Sequence, residues 1–269
     1  MLDLKSSRDI RIGLIGYGYI AQNLAQRIGA EPGMGLAFVH TRRRAQAADI
    51  SDGVFLDDIS GTEERAADII VEAAHPCFTV EHGETFLGQC DYLPLSTGAL
   101  IDNDLCRRLS QTAKAHGTRL FLAAGALAGG EEMVKRSKPW ERVCITFRKH
   151  PRNIDFSDVA FAAEDVTDAR TIFEGPVREI AACYPRNVNT MVTGALLSTG
   201  VDACEGVLIA DPSLDHAVAI VEAWGSDGSY LRTEKRQPVK GVSGTEMVDS
   251  AWFSLKRAVG QSTGTFELV

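Results

Sequence analysis

Apolar positions in the first half of the chain follow two alternating rhythms. Arg11–Ile15 is a short, almost wholly apolar run after a polar leader, as a central parallel strand requires. Ile20, Leu24 and Ile28 then recur at four-residue steps, which puts them on one face of a helix that Glu31-Pro32-Gly33 ends. Further strands are predicted at Leu36–His40, Ile69–Ala74, Tyr92–Ser96 and Arg119–Ala123. Helices are predicted at Val80–Leu87 and Asp102–His116, with Asp102 as N-cap and Gly117 as stop. This cadence implies an α/β fold that begins with a doubly wound parallel sheet and right-handed crossovers.

From Gly125 the rhythm changes. Gly125–Gly130 is a small-residue loop, and Val143–Arg148 alternates as a strand does. Val177–Tyr184 reads as a helix that Pro185 breaks, and Asn187-Val188-Asn189 then opens a long small-residue helix running to about Thr199. Val207–Ala210, His216–Trp224 and Ser229–Lys235 read as strands, the last two joined by the hairpin loop Gly225-Ser226-Asp227-Gly228. Glu246–Val259 is a final helix. The expected domains are residues 1–123 and 124–244, with the segment from about 245 to 269 packing back on the first. A substrate is expected between the two halves, at the carboxyl ends of the parallel strands.

Composition narrows the partners. Twenty-eight basic residues against 36 acidic give a net charge of −8, which argues against nucleic acid, whose phosphates need a basic footprint. No apolar run is long enough to cross a bilayer, and the opening MLDLKSSRDI lacks the apolar core of a signal peptide. The six cysteines are scattered without zinc-ligand spacing, so no metal is expected and a reducing, cytoplasmic setting is the default.

The first chemical signal is Gly16-Tyr17-Gly18-Tyr19-Ile20-Ala21, at the junction of the first strand and helix. Gly16 permits a tight turn and Gly18 lets backbone approach a diphosphate. The helix start at Tyr19 and Ile20 offers backbone N–H groups and a positive dipole end. Ala21 stands in for the third glycine as a small packing residue. The pattern points to a dinucleotide in a Rossmann domain. The second strand runs into Thr41-Arg42-Arg43-Arg44 rather than into the carboxylate that holds the ribose hydroxyls of NAD. Arginines suit a 2′-phosphate, so NADP is favoured over NAD.

With these motifs in place, the chain resembles the L-aspartate dehydrogenase family from the glycine turn nearly to the C-terminus. The resemblance is carried by Val71-Glu72-Ala73-Ala74-His75, Ser96-Thr97-Gly98-Ala99, Gly125-Ala126, Phe173–Glu179, Tyr184–Asn189 and Ile209-Ala210-Asp211-Pro212. It implies a Rossmann domain, an α/β catalytic domain whose open sheet packs between subunits, and a homodimer. It also implies NAD(P)-linked oxidative deamination of aspartate to iminosuccinate, and the reverse, with a small carboxylate-bearing substrate. Ala73, Ala74, Thr97, Gly98, Ala126 and Asn189 fall at positions that would meet the nicotinamide cofactor.

The departures bear on chemistry. Ala217 and Ala219 stand where the family has an asparagine and the catalytic histidine, and Glu131 where it has an aspartate. Of the family's Asn-Pro-Lys-Thr-Ser, read here as Val242–Glu246, only Thr245 survives. Alanine cannot move a proton, and losing a positioned acid/base typically costs about 100- to 10,000-fold in rate. His216 lies three residues upstream, on the opposite face of an extended strand, so a bulge would be needed to re-aim it. His75, at the carboxyl end of the third strand, is the other candidate, and Lys149 a third. Glu72, inside an apolar strand, needs a partner. The leading expectation is an oxidoreductase acting at an amine/imine carbon with altered substrate. The alternative is an NADP(H)-binding protein without turnover.

Overall fold

A computed structural model describes residues 9–261 apart from 137, 158, 241, 242 and 245, with backbone alone at 239, 240, 243 and 244. Val242, Thr245, residues 1–8 and residues 262–269 of the sequence expectations lie outside the described residues. The chain divides into two compact units, residues 1–123 with 251–269, and residues 124–250.

In the first unit, β1 (Ile10–Ile15), α1 (Tyr19–Ala30), β2 (Met34–His40), β3 (Ile69–Glu72), α2 (Pro76–Gln89), β4 (Asp91–Pro94) and α3 (Asn103–His116) follow in order. The sheet has the order β2-β1-β3-β4 and is parallel throughout. Leu105, Leu109 and Ala113 form the buried stripe of α3. Asp102 caps this helix by accepting from the backbone N–H groups of Asp104 and Leu105, and Gly117 ends it at φ 69°. The strand expected at Arg119–Ala123 is a single bridge between Leu120 and Tyr92. Tyr92 N–H donates to Arg119 O at 2.9 Å and Phe121 N–H to Tyr92 O at 2.8 Å. The next rung needs an N–H from Pro94, which has none, so the ladder stops. The core includes Ile12, Leu14, Leu24, Ile28, Val39, Val71 and Leu93, joined by Ala251, Leu255 and Ala258 from the last helix.

The second unit contains α4 (Gly130–Val134), β5 (Trp140–Lys149), β6 (Arg170–Pro176), α5 (Val177–Cys183), α6 (Asn189–Leu196), β7 (Glu205–Ala210), β8 (His216–Gly225), β9 (Tyr230–Lys240) and β10 (Ser243–Gly244). The final helix, α7 (Met247–Ala258), starts in this unit's span. The mixed sheet has the order β10-β9-β8-β5-β7-β6, in which only the β5–β7 pair is parallel. β6 was not expected as a strand. It is a half-exposed edge whose register shifts between Thr171 and Phe173, so it carries no clean alternation. α5 and α6 cover one face. A Cβ on Gly194 of α6 would stand 2.5 Å from Ile145, and one on Gly206 of β7 would stand 3.0 Å from Ile180 of α5. The other face carries the half-buried Cys144, Thr146, Val207, Ile209 and Ile220. Among the described residues, no helix is long and apolar enough to cross a membrane.

Candidate functional site

In the first unit, a cleft at the carboxyl ends of the parallel strands gathers Gly16, Gly18, Thr41, Arg42, Arg43, Ala73, Ala74 and His75. Its backbone is made for close approach. Gly16 has φ +91°, and a Cβ there would stand 2.7 Å from the Ala73 carbonyl oxygen. Gly18 faces open space, and it begins α1 without any side-chain cap or first-turn acid. The helix N-terminus therefore keeps donors for an anion, and these residues fit a nucleotide diphosphate. Tyr19 is exposed at the helix start and Ile20 packs against the hydrophobic core, and neither is among the residues that line the cleft. Thr97 and Gly98 lie in a 3-10 turn, Thr97–Ile101, and do not line the cleft.

Of the three arginines, Arg44 is engaged elsewhere. It donates to Ala47 O, to Ile50 O at 3.2 Å and to Asp52 at 2.7 Å, and its guanidinium lies 4.2 Å from the Phe55 ring centre. Arg42 and Arg43 remain at the cleft with Gln46. Gln46, Tyr17 and Phe78 are lining residues that sequence reading missed. The Tyr17 hydroxyl donates to Asp49 at 2.7 Å, and burial pushes its pKa up to about 12.

Glu72 explains the shape of the cleft floor. Its Oε1 accepts from Ala74 N–H at 2.6 Å and from the Ser96 hydroxyl at 3.1 Å, and its Oε2 from Ser96 N–H at 3.2 Å. One buried carboxylate thus ties the Ala73–His75 segment to the loop after β4. Burial raises its pKa to about 6 against the lowering effect of those hydrogen bonds. His75 caps α2, its Nδ1 accepting from Cys77 N–H at 3.2 Å, which leaves the proton of the neutral ring on Nε2.

A separate cavity lies wholly within the second unit. Its walls include Ala126, Phe147, Lys149, Asn187, Asn189, Ala217, Ala219 and Gln237. Ala126 is held by its N–H donating to the Thr190 hydroxyl at 3.1 Å. Lys149 is buried and donates from Nζ to Asn187 O at 3.3 Å; burial lowers its pKa to about 8. His216 is not among the lining residues. Its Nδ1 meets Asp215 at 2.5 Å, and β8 pairs with β9 from His216 to Trp224 without a register shift, so no bulge turns it toward the Ala219 face. Arg148, beside Lys149, points to the other face and donates to Asp211 at 2.8 Å; the Ser213 hydroxyl donating at 2.6 Å and then this guanidinium hold that carboxyl below its ordinary range. Gln237, Asn187 and Thr190 were not singled out from sequence. Only the Tyr184–Asn189 motif carried a signal for any of them.

Comparisons with known proteins follow the same division. Residues 16–123 match the family model "Homoserine dehydrogenase, NAD binding domain", and residues 131–250 match "Aspartate dehydrogenase, C-terminal". An aspartate dehydrogenase domain-containing protein of Xenopus tropicalis is 35% identical over 277 residues, 96% of this chain and 97% of that one. An L-aspartate dehydrogenase of Ruegeria pomeroyi is 32% identical over 242 residues, 86% of each chain. The crystal structure of aspartate dehydrogenase from Thermotoga maritima shares the fold, with TM-score 0.76 at 22% identity over 97% of this chain and 100% of that one. The chain therefore belongs to the aspartate dehydrogenase family, a group of NAD(P)-dependent oxidoreductases.

Proposed function

We propose that this protein oxidises or forms the CH–NH2 group of a small, carboxylate-bearing amino or imino acid, with NADP as the favoured nucleotide. The observation that carries the reading is the uncapped start of α1 at the Gly16–Gly18 turn, with Arg42 and Arg43 on the same cleft. Gly16, Gly18, Tyr19 and Ile20 would receive the diphosphate through backbone, and Thr41, Arg42 and Arg43 a 2′-phosphate. The nucleotide, when bound, supplies the hydride chemistry. Ala73, Ala74, Thr97, Gly98, Ala126 and Asn189 are assigned to cofactor contacts by resemblance. We assign residues 1–123 to dinucleotide binding and 124–244 to substrate binding and dimerisation.

The relatives' names point to aspartate, while Ala219 in place of the family histidine favours a different substrate or a different proton-transfer group. His75 remains a candidate because its Nε2–H is available at the nucleotide cleft. His216 is the weaker one, given its place away from the cavity. The test is to follow absorbance at the nicotinamide band with NADPH, ammonia and a panel of 2-oxo acids that includes oxaloacetate. Turnover with at least one acid is expected, and none with any acid defeats the reading. The second reading, a nucleotide-binding protein without turnover, is favoured by that same alanine. Tight NADPH binding with no oxidation across the panel would establish it. Ala219→His tests the scaffold: aspartate oxidation created by this change shows the rest of the pocket intact.

A further inference from the structure

Three strands bring a lysine and a glutamine to one level of the second unit's cavity. Phe147 on β5 lies opposite Ala219 on β8, and Ala217 on β8 lies opposite Gln237 on β9. Lys149 is two residues beyond Phe147, so it shares that face at the level of Ala217. Lys149 and Gln237 thus flank an alanine across the sheet, separated by roughly 10 Å of strand spacing with a methyl group between them. Both are buried, at 8% and 5% exposure, and both line the cavity. Among the described residues, the Gln237 Oε1 has no hydrogen-bond partner. A buried amide oxygen without a donor is costly, and on a cavity wall an N–H of a ligand can supply the missing donor.

We propose that Lys149 is the proton-transfer residue of this cavity, acting on the nitrogen of a small amino or imino acid whose N–H is held by Gln237. This rests on the oxidoreductase reading above. In the oxidative direction the substrate's C–H and one N–H bond break and a C=N bond forms. The hydrogen leaves carbon as hydride, with its electron pair, to the nicotinamide nucleotide, and the proton passes to the neutral Lys149 amine. In the reductive direction the Lys149 ammonium returns that proton to the imine nitrogen as hydride reaches carbon.

The surroundings fit a group that must exist in both forms. Asn187 offers a carbonyl to Nζ, which orients the amine in either state. The other titratable groups nearby are matched among themselves. Arg186 pairs with Asp155 at 3.2 Å, Arg148 with Asp211 on the opposite face, and Lys235, on the next inward position of β9, with Glu246 at 2.7 Å. His216 pairs with Asp215 and faces away, and His150 accepts from Arg152 N–H at 3.1 Å. Burial brings the Lys149 pKa to about 8, so both the donor and the acceptor form are populated near neutral pH.

The experiment compares the full-length wild type with Lys149→Arg and Lys149→Met, in the assay above, from about pH 6 to about pH 10. Side-chain amine signals of protein labelled with ¹⁵N-lysine are titrated in parallel, the Lys149 signal being assigned by its loss in Lys149→Arg. The expected result is an amine with a midpoint near 8. In Lys149→Arg, kcat should fall about 100-fold or more with KM for the 2-oxo acid changed less than about threefold, and the limb near pH 8 should vanish. Gln237→Leu should raise KM for ammonia about tenfold or more. If Lys149→Arg keeps kcat within about tenfold, or the amine titrates at its ordinary 10.5, Lys149 is not the proton carrier and the oxidoreductase reading stands. If the wild type consumes no NADPH with any acid, the reading and the assignment fall together.

Discussion

Glu72 and Lys149 are both buried, and each pays for ionisation in the folded state in an opposite pH window. The Glu72 pKa rises from its ordinary 4.5 to about 6, so the folded protein holds that proton more tightly than the unfolded chain. Stability contributed by this group is greatest below 4.5, falls as pH rises through 6, and is lower by about 2 kcal/mol at neutral pH. Glu72→Gln removes the titration. Chemical denaturation of both proteins from acid to neutral pH should show their stability difference changing by about 2 kcal/mol, the wild type losing ground as pH rises. A pH-independent difference would mean that the carboxyl titrates normally. Lys149 behaves the other way. Its pKa falls from 10.5 to about 8, so the charged form destabilises the fold below 8 by about 3 kcal/mol, and the penalty is relieved as pH rises from 8 toward 10.5. Lys149→Met, which fits the same space without charge, should raise the neutral-pH melting temperature by several degrees while abolishing turnover. A melting temperature unchanged or lowered would show that the lysine is not held at a cost.

At the level of elements, the turn between β1 and α1 separates two roles that one glycine pattern combines. Gly16 needs its positive φ and has no room for a Cβ, whereas Gly18 has φ −80° and open space around it. Gly16→Ala should therefore destabilise the fold, by roughly 1–3 kcal/mol. Gly18→Val should leave stability within about 0.5 kcal/mol yet cut NADPH affinity strongly, because the new side chain occupies the approach to the helix N-terminus. Thermal melts beside calorimetric titration distinguish the two, and equal loss of stability in both variants would contradict this division. The loop after β2 gives a second contrast. Arg42→Ala and Arg43→Ala should each weaken NADPH relative to NADH by about tenfold or more, the worth of a charge-assisted hydrogen bond. Arg44→Ala, which breaks contacts to Ala47, Ile50, Asp52 and Phe55, should lower stability and leave the NADPH/NADH ratio alone. These elements were legible in the sequence because their information is local: a β-branched run, a glycine turn, and Asp102 and Gly117 bracketing α3. The Arg119–Ala123 segment has the same strand-like composition. It pairs only once because of a proline on the neighbouring strand, which a local pattern does not register.

On the scale of the whole molecule, what the sequence hid is lateral. Lys149 on β5 lies far along the chain from the β8–β9 hairpin that carries Ala217 and Gln237, and only the sheet register sets the three side by side. β9 reads as Tyr-Leu-Arg-Thr-Glu-Lys-Arg-Gln-Pro-Val-Lys, too polar to mark Gln237 as an inward position. The opposite face of that sheet is where we expect self-association. Helices α5 and α6 cover one side, while Thr146, Val207, Ile209 and Ile220 stand half-buried on the other. Around them lie the ion pairs Arg142–Glu205, Arg148–Asp211 and Arg232–Glu234. A central apolar strip inside a charged rim is the anatomy of a protein interface, and a two-fold contact would set this face against the same face of its own copy. Ile220 lies opposite Thr146 on β5 and Glu234 on β9, near the middle of the sheet's order. In light scattering coupled to size exclusion, the wild type should elute at twice the 29.1 kDa chain mass. Ile220→Asp should elute at the single-chain mass, since an unpaired carboxylate at an interface centre costs more than one contact contributes. A wild type that stays at 29.1 kDa when concentrated would remove the homodimer, and with it any need for that face to be covered.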